Sequence, residues 1–183
     1  ERLRARGMSP YARAMNGRGS ALHWVLRQPW LAVVAVQLFL ARGLLSGEWP
    51  LYRDLSRLFI PLKAHLASEL QQGRLPHWWP WEGLGMPLAS QPMASLFHPS
   101  SVLYVVLPFQ LAFALQFWLP LPIAVFGTWR LGRALGLDSA SAALGAAAYS
   151  LGGYFLSNTE FTFTSLGAAA LPFVALGSLR LRA

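Results

Sequence analysis

Arg53, Asp54, Arg57, Lys63, Arg74 and Glu82 fall within one stretch, residues 53–82. Four cations spread through so apolar a run suit a phosphate or pyrophosphate headgroup, arginine through its bidentate fork and lysine as a point charge. The headgroups of anionic lipids satisfy them equally well. Glu82, between Trp81 and Gly83, is a carboxylate that can take a ligand hydroxyl or a cation, with pairing to Arg74 as the alternative. Asp54 opens a helical pattern, where a carboxylate caps the free amides of the first turn. Glu160, in SNTEFTFT, either joins Asp54 in one site or is an ordinary solvated turn acid. His65, His77 and His98 are too scattered for a helical H-x-x-x-H zinc pair, and the chain has no cysteine, so no metal centre is expected from spacing. No phosphate-cradling glycine loop, nucleophile elbow or dinucleotide fingerprint is present.

Composition places these groups in a membrane class. Of 183 residues, 55% are hydrophobic and 12% charged, against roughly 25% charged in an average soluble domain. The net charge of +8 sits in blocks, ERLRARGMSPYARAMNGRGS, WRLGRALG and LRLRA, each abutting an apolar run. Such blocks set topology by staying on the cytoplasmic side. No aromatic and basic reading surface is interleaved, so a nucleic-acid partner is not expected. The fold expected is all-α and polytopic, a single membrane domain over 1–183 with a basic tail at 1–23 and about four spans, at 24–45, 103–129, 139–157 and 165–179. Both termini then lie in the cytoplasm and residues 46–102 form a large loop outside. Pro108, Pro120 and Pro122 predict kinks or a short interfacial helix at the start of the second span.

Within the loop, Leu55, Leu58, Phe59, Leu62, Leu66 and Leu70 recur at spacings of three and four, which is one helical stripe. Gly73 fits a C-terminal cap, and Pro61 must begin the helix or kink it. With Arg57, Lys63, Ser68, Glu69 and Gln71 pointing elsewhere, the stripe predicts an amphipathic helix lying in the membrane interface. The segment GRLPHWWPWEGLGMPLASQP follows. Pro76, Pro80, Pro87 and Pro92 each remove a backbone donor, so neither helix nor regular strand is expected there. Trp78, Trp79 and Trp81 suit a headgroup-level belt, while Gly83 and Gly85 permit the positive backbone angles of a loop folded over a groove.

Residues 48–175 resemble the start of bacterial polytopic membrane proteins of the YfhO type, related to GT-C-class glycosyltransferases. The resemblance rests on an early Asp54 before a proline-bearing amphipathic helix, then Gly73, Pro76, Trp78 and Pro80, then Gly85, Pro87 and Gln91, then His98 and Pro99. RALGLDSASAALGAAAYSLGGYF continues it, whereas Trp79 stands where the family more often has Asn. The resemblance implies an integral protein of the bacterial cytoplasmic membrane that takes a sugar from a polyprenyl phosphate donor at the outer face. It implies Asp54 as the general base, or as ligand of a divalent cation; Glu160, on the same side under the expected topology, is the second catalytic candidate. Arg53, Arg57, Lys63, Arg74, Trp78, Trp81, Glu82 and Gln91 are the residues expected to bind substrate. No cofactor is otherwise indicated.

Family members carry more helices than four. The same features therefore also fit a noncatalytic accessory subunit of GT-C-like ancestry, packed against lipids and other membrane subunits. A transporter finds no support, because no span carries an acidic residue or paired charges at its centre.

Overall fold

The computed structural model describes residues 28–48, 54–159 and 161–181, and within them the chain is mostly helical. The basic tail, Arg53 and Glu160 lie outside the described residues, as do positions 24–27 of the expected first span. What is described of that span is α1 (Trp30–Leu40), a break at Ala41, and the single turn α2 (Arg42–Leu45). Two helices are long and apolar enough to cross a membrane. One, Phe109–Ala134, joins α5 (Phe109–Trp118) to α6 (Pro120–Ala134), with Pro120 and Pro122 in the first turn of α6. It follows the short α4 (Leu103–Val106), so the prolines punctuate the expected second span as their missing donors require. The other, Thr162–Arg180, is α9.

The expected third span is interrupted. Asp138 caps α7 (Ser139–Ser150), its carboxylate accepting from the Ser141 hydroxyl and from the amides of Ala140 and Ser141, the amides at 2.9 and 3.1 Å, and these bonds, the hydroxyl's foremost, hold the carboxyl below the usual range. Its 12 residues rise only about 18 Å, short of a hydrocarbon core of roughly 30 Å. The chain then breaks at Leu151 and Gly152 before α8 (Gly153–Ser157). At Gly152 a side chain would sit 2.6 Å from the Ala148 carbonyl, a close approach that only glycine allows.

These helices form one bundle with α6 at its centre. Trp30 of α1 packs its ring on Phe126 and Trp129 of α6, at 5.4 and 5.9 Å between centroids. Gln37, two turns further along α1, donates to Ser150 at the end of α7 over 3.0 Å. Tyr149 of α7 donates to the carbonyl of Ala168 in α9 at 2.9 Å. Hence α6 and α9 run one way and α1 and α7 the other. Small residues permit this closeness. Gly127 faces the Phe173 ring, and at Gly132 a Cβ would stand 3.0 Å from that of Ala142 and 3.2 Å from its Cα. Gly132→Leu will therefore force α6 from α7 and lower stability by about 1–3 kcal/mol, which thermal melting in detergent reads directly.

The loop builds a second core against α4 and α5. Leu55–Phe59 forms a wide π turn leading into α3 (Ile60–Gln71). Pro61 is the physical reason: its ring offers the Arg57 carbonyl no donor and crowds it, and a widened turn upstream relieves the clash. Gly73, at φ 70°, closes α3. Its amide bonds Leu70 O and that of Arg74 bonds Glu69 O, the paired bonds of a Schellman cap. The leucine stripe does not face outward toward a bilayer interface. Leu55, Phe59, Leu62 and Leu66 are buried with Trp79, Leu88, Tyr104 and Phe113 in the loop's own core, because the Pro/Gly/Trp segment folds back over the stripe.

Candidate functional site

The loop occupies one end of the bundle, and Arg130, Arg133 and Arg180 line a pocket at the other. At the loop end Asp54 starts the π turn, exposed, and makes no side-chain cap. Among the described residues its carboxylate has no hydrogen-bond or ion-pair partner, so the capping role open to it is not taken up. Arg57 is exposed one turn on. Further along the same segment the Phe59 ring meets that of Phe161 edge-on, 5.5 Å between centroids, in the turn that leads into α9.

The substrate-binding candidates separate into different environments. Lys63 is fully buried instead of pointing outward. Its ammonium donates to the Ala94 carbonyl at 2.6 Å and lies 5.9 Å from the centroid of the Tyr104 ring. Burial pushes its pKa down to about 7, since a charged amine there has one acceptor and a ring face in place of water. Behind it runs a polar chain. Tyr104 donates to Gln116 Oε1, Gln116 Nε2 donates to Ser100 Oγ, and Ser100 lies against His98 Nδ1, each over 2.8 Å. Because Nδ1 also accepts the Ser100 amide at 3.1 Å, the neutral ring carries its proton on Nε2. Burial and then the nearby Lys63 charge hold His98 below its ordinary value.

Arg74 is committed too. It bonds Glu69 through Nε and Nη2 at 2.9 and 2.6 Å, not Glu82, and this bond holds the Glu69 carboxyl below the usual range. Glu82 is exposed in the turn of a small hairpin, where β1 (Trp78–Trp79) pairs antiparallel with β2 (Met86–Pro87). The prolines thus admit a two-residue ladder, since Pro87 needs no donor on its outer edge. Gly85, at φ 89°, lies directly under the Trp78 indole, leaving no room for a side chain. Trp79 is buried, whereas Trp78 and Trp81 are 52% and 68% exposed, so the three do not act as one belt. His65 pins the hairpin to α3: it bonds the Trp78 carbonyl at 3.0 Å and meets the Trp81 ring at 4.9 Å. Gln91 is half-buried between two short helical turns. His65 is eleven residues past Asp54, about 16 Å along the helix axis. The hairpin therefore braces the middle of α3 and does not cover Asp54.

A cavity of about 330 Å³ opens at the same end of the bundle, lined by Gln37, Leu40, Leu44, Glu48, Trp118 and Leu156 among others. Its walls are mostly apolar. Gln37 Oε1 and Trp118 Nε1 are buried on its lining without hydrogen-bond partners. Gln37 and Gln116 are not among the residues expected from the sequence, although a glutamine inside an apolar run is a polar group that needs a partner. Among the described residues no cluster of three histidines or carboxylates could hold a metal ion. No protein-family model matches the chain, and no curated protein or solved structure matches it either.

Proposed function

We propose that the chain is an integral membrane glycosyltransferase-like protein that uses a lipid-linked sugar donor at the loop end of its bundle. The observation that carries this reading is the Asp54 carboxylate: exposed, without a partner among the described residues, and used by no helix cap. A general base must keep its lone pairs for the acceptor hydroxyl. Arg57 stands one turn away to pair the donor phosphate, and the apolar cavity gives the isoprenoid a place at the same end.

The bilayer setting is supported by the side chains that α6 and α9 leave exposed, Ile123, Phe126, Leu171, Phe173 and Val174. In this reading α1 and the broken α7–α8 pair supply the first and third crossings. The arginine end faces the cytoplasm and the loop lies outside.

The test is sugar transfer from a labelled polyprenyl phosphate donor in proteoliposomes, with and without a divalent cation. Asp54→Asn is expected to lower the rate about a hundredfold while leaving the melting temperature unchanged, because the carboxylate makes no contact that the fold uses. Full activity in the variant, or none in the parent, overturns the reading.

A second reading, the noncatalytic accessory subunit, is favoured by the apolar side chains the loop exposes. Leu84 is fully exposed at the hairpin turn, and Phe97 is 76% exposed. A stoichiometric membrane partner lost on Leu84→Ser and Phe97→Ser would select it.

A further inference from the structure

We propose that Arg130, Arg133 and Arg180 form a binding site for the phosphate of an anionic phospholipid, at the end of the bundle opposite the loop. The three arginines line one pocket of about 450 Å³ with Trp129, Leu176 and Leu179. Two observations make it a site and not a scatter of surface charge.

First, the arginines come from two separate helices that run in parallel, α6 and α9, and converge where both end. Helix C-termini attract cations, but three in one pocket repel each other unless an anion joins them. Arg133 gives one bond to the Leu137 carbonyl at 2.6 Å, and Arg130 lies 5.9 Å from the centroid of the Phe126 ring. Among the described residues none of the three has a carboxylate partner. The acid next in sequence, Asp138, is spent on the α7 cap.

Second, the pocket joins charge to apolar surface. These are the ends of the two helices long and apolar enough to cross a membrane. Leu179 lines the pocket, and Phe126, Phe173 and Val174 continue exposed along the same helices. A phosphodiester held by guanidinium forks, with acyl chains along those side chains and the Trp129 indole at headgroup level, matches both halves. A soluble phosphate would use only the charged half.

The inference rests on the bilayer part of the proposed function and not on sugar transfer. Its test is reconstitution of the full chain into vesicles of phosphatidylcholine alone or with phosphatidylglycerol, followed by delipidation in mild detergent and mass spectrometry of retained lipid. Phosphatidylglycerol is expected to be enriched on the parent. The enrichment should fall at least tenfold in Arg130→Gln/Arg133→Gln/Arg180→Gln and persist in Arg42→Gln, which removes a cation at the other end. Should the triple variant fail to fold, each single substitution should lower enrichment severalfold. Equal retention in parent and variants overturns the site while leaving the bilayer reading intact. Failure to float with either vesicle overturns both. Displacement of the lipid by millimolar inorganic phosphate, with phosphate binding lost in the same variants, reassigns the pocket to a soluble anion and overturns the lipid.

Discussion

Raising the pH from 7 to 10 will stabilise this fold, and Lys63→Met will remove most of that gain. The Lys63 amine titrates near 7 in the fold and at its ordinary 10.5 in the unfolded chain. Between those values the unfolded chain keeps the proton and the folded chain has released it, so stability climbs with pH by up to about 1.4 kcal/mol per pH unit. Across the whole window the gain approaches about 4–5 kcal/mol. Below pH 7 both states hold the proton and the full cost of burying the ammonium stands. Above 10.5 neither does. His98 acts in the same direction over a lower range, because its depressed value also makes the unfolded chain bind more protons just below pH 6.5.

Methionine fills the same space without a charge, but leaves the Ala94 carbonyl without its donor, at a cost of about 1–3 kcal/mol. The two stability curves should therefore cross: the variant melts higher at pH 6 and lower at pH 10. Melting in detergent from pH 6 to 10 measures this. Parallel curves would show that Lys63 does not titrate in that window. The substitution should also raise the His98 pKa, by removing the positive charge that helps depress it.

Lys63 also marks where the sequence was legible and where it misled. The spacing of Leu55, Phe59, Leu62 and Leu66 identified the loop helix, since a three-and-four periodicity has few other causes. Lys63 stands four residues after Phe59 and three before Leu66, so the same periodicity placed it on the apolar stripe. Its charge argues for solvent, against that spacing. Only the fold-back of Pro92–Ala94, which brings a carbonyl to the amine, resolves the conflict, and that contact spans 31 residues. The glycine at 73 declared its left-handed cap because little else adopts that backbone. Asp54 is legible as the acid that opens the helix, but its freedom from capping is not, for it depends on the π turn upstream of Pro61. The interrupted third span had its signal in LGG at 151–153, but small residues also favour close helix packing. The sequence alone did not choose between the two.

Trp79→Ala will cost about 3–5 kcal/mol, the range for removing a large aromatic side chain from a core, and will release the hairpin before the bundle melts. Trp79 is 3% exposed and packs with the leucines of α3, its ring 4.9 Å from Trp81 and 5.6 Å from His65. Removing it leaves a void bounded by those rings and takes away the buried packing that holds β1 against α3, leaving the exposed His65 bond to the Trp78 carbonyl to hold it alone. The bundle keeps its own contacts, among them the Gln37–Ser150 and Tyr149–Ala168 bonds. The loss should therefore appear first as protease cutting within residues 73–92 at temperatures where the helical signal is unchanged. Trp79→Phe separates packing from polarity. The indole Nε1 is buried without a hydrogen-bond partner, so phenylalanine gives up volume but also removes an unsatisfied donor. That variant should lose no more than about 1–2 kcal/mol and keep the hairpin protected. If alanine and phenylalanine prove equally damaging, the Nε1–H must be making a bond that the buried geometry does not reveal, and the hairpin is held by that bond and not by ring packing.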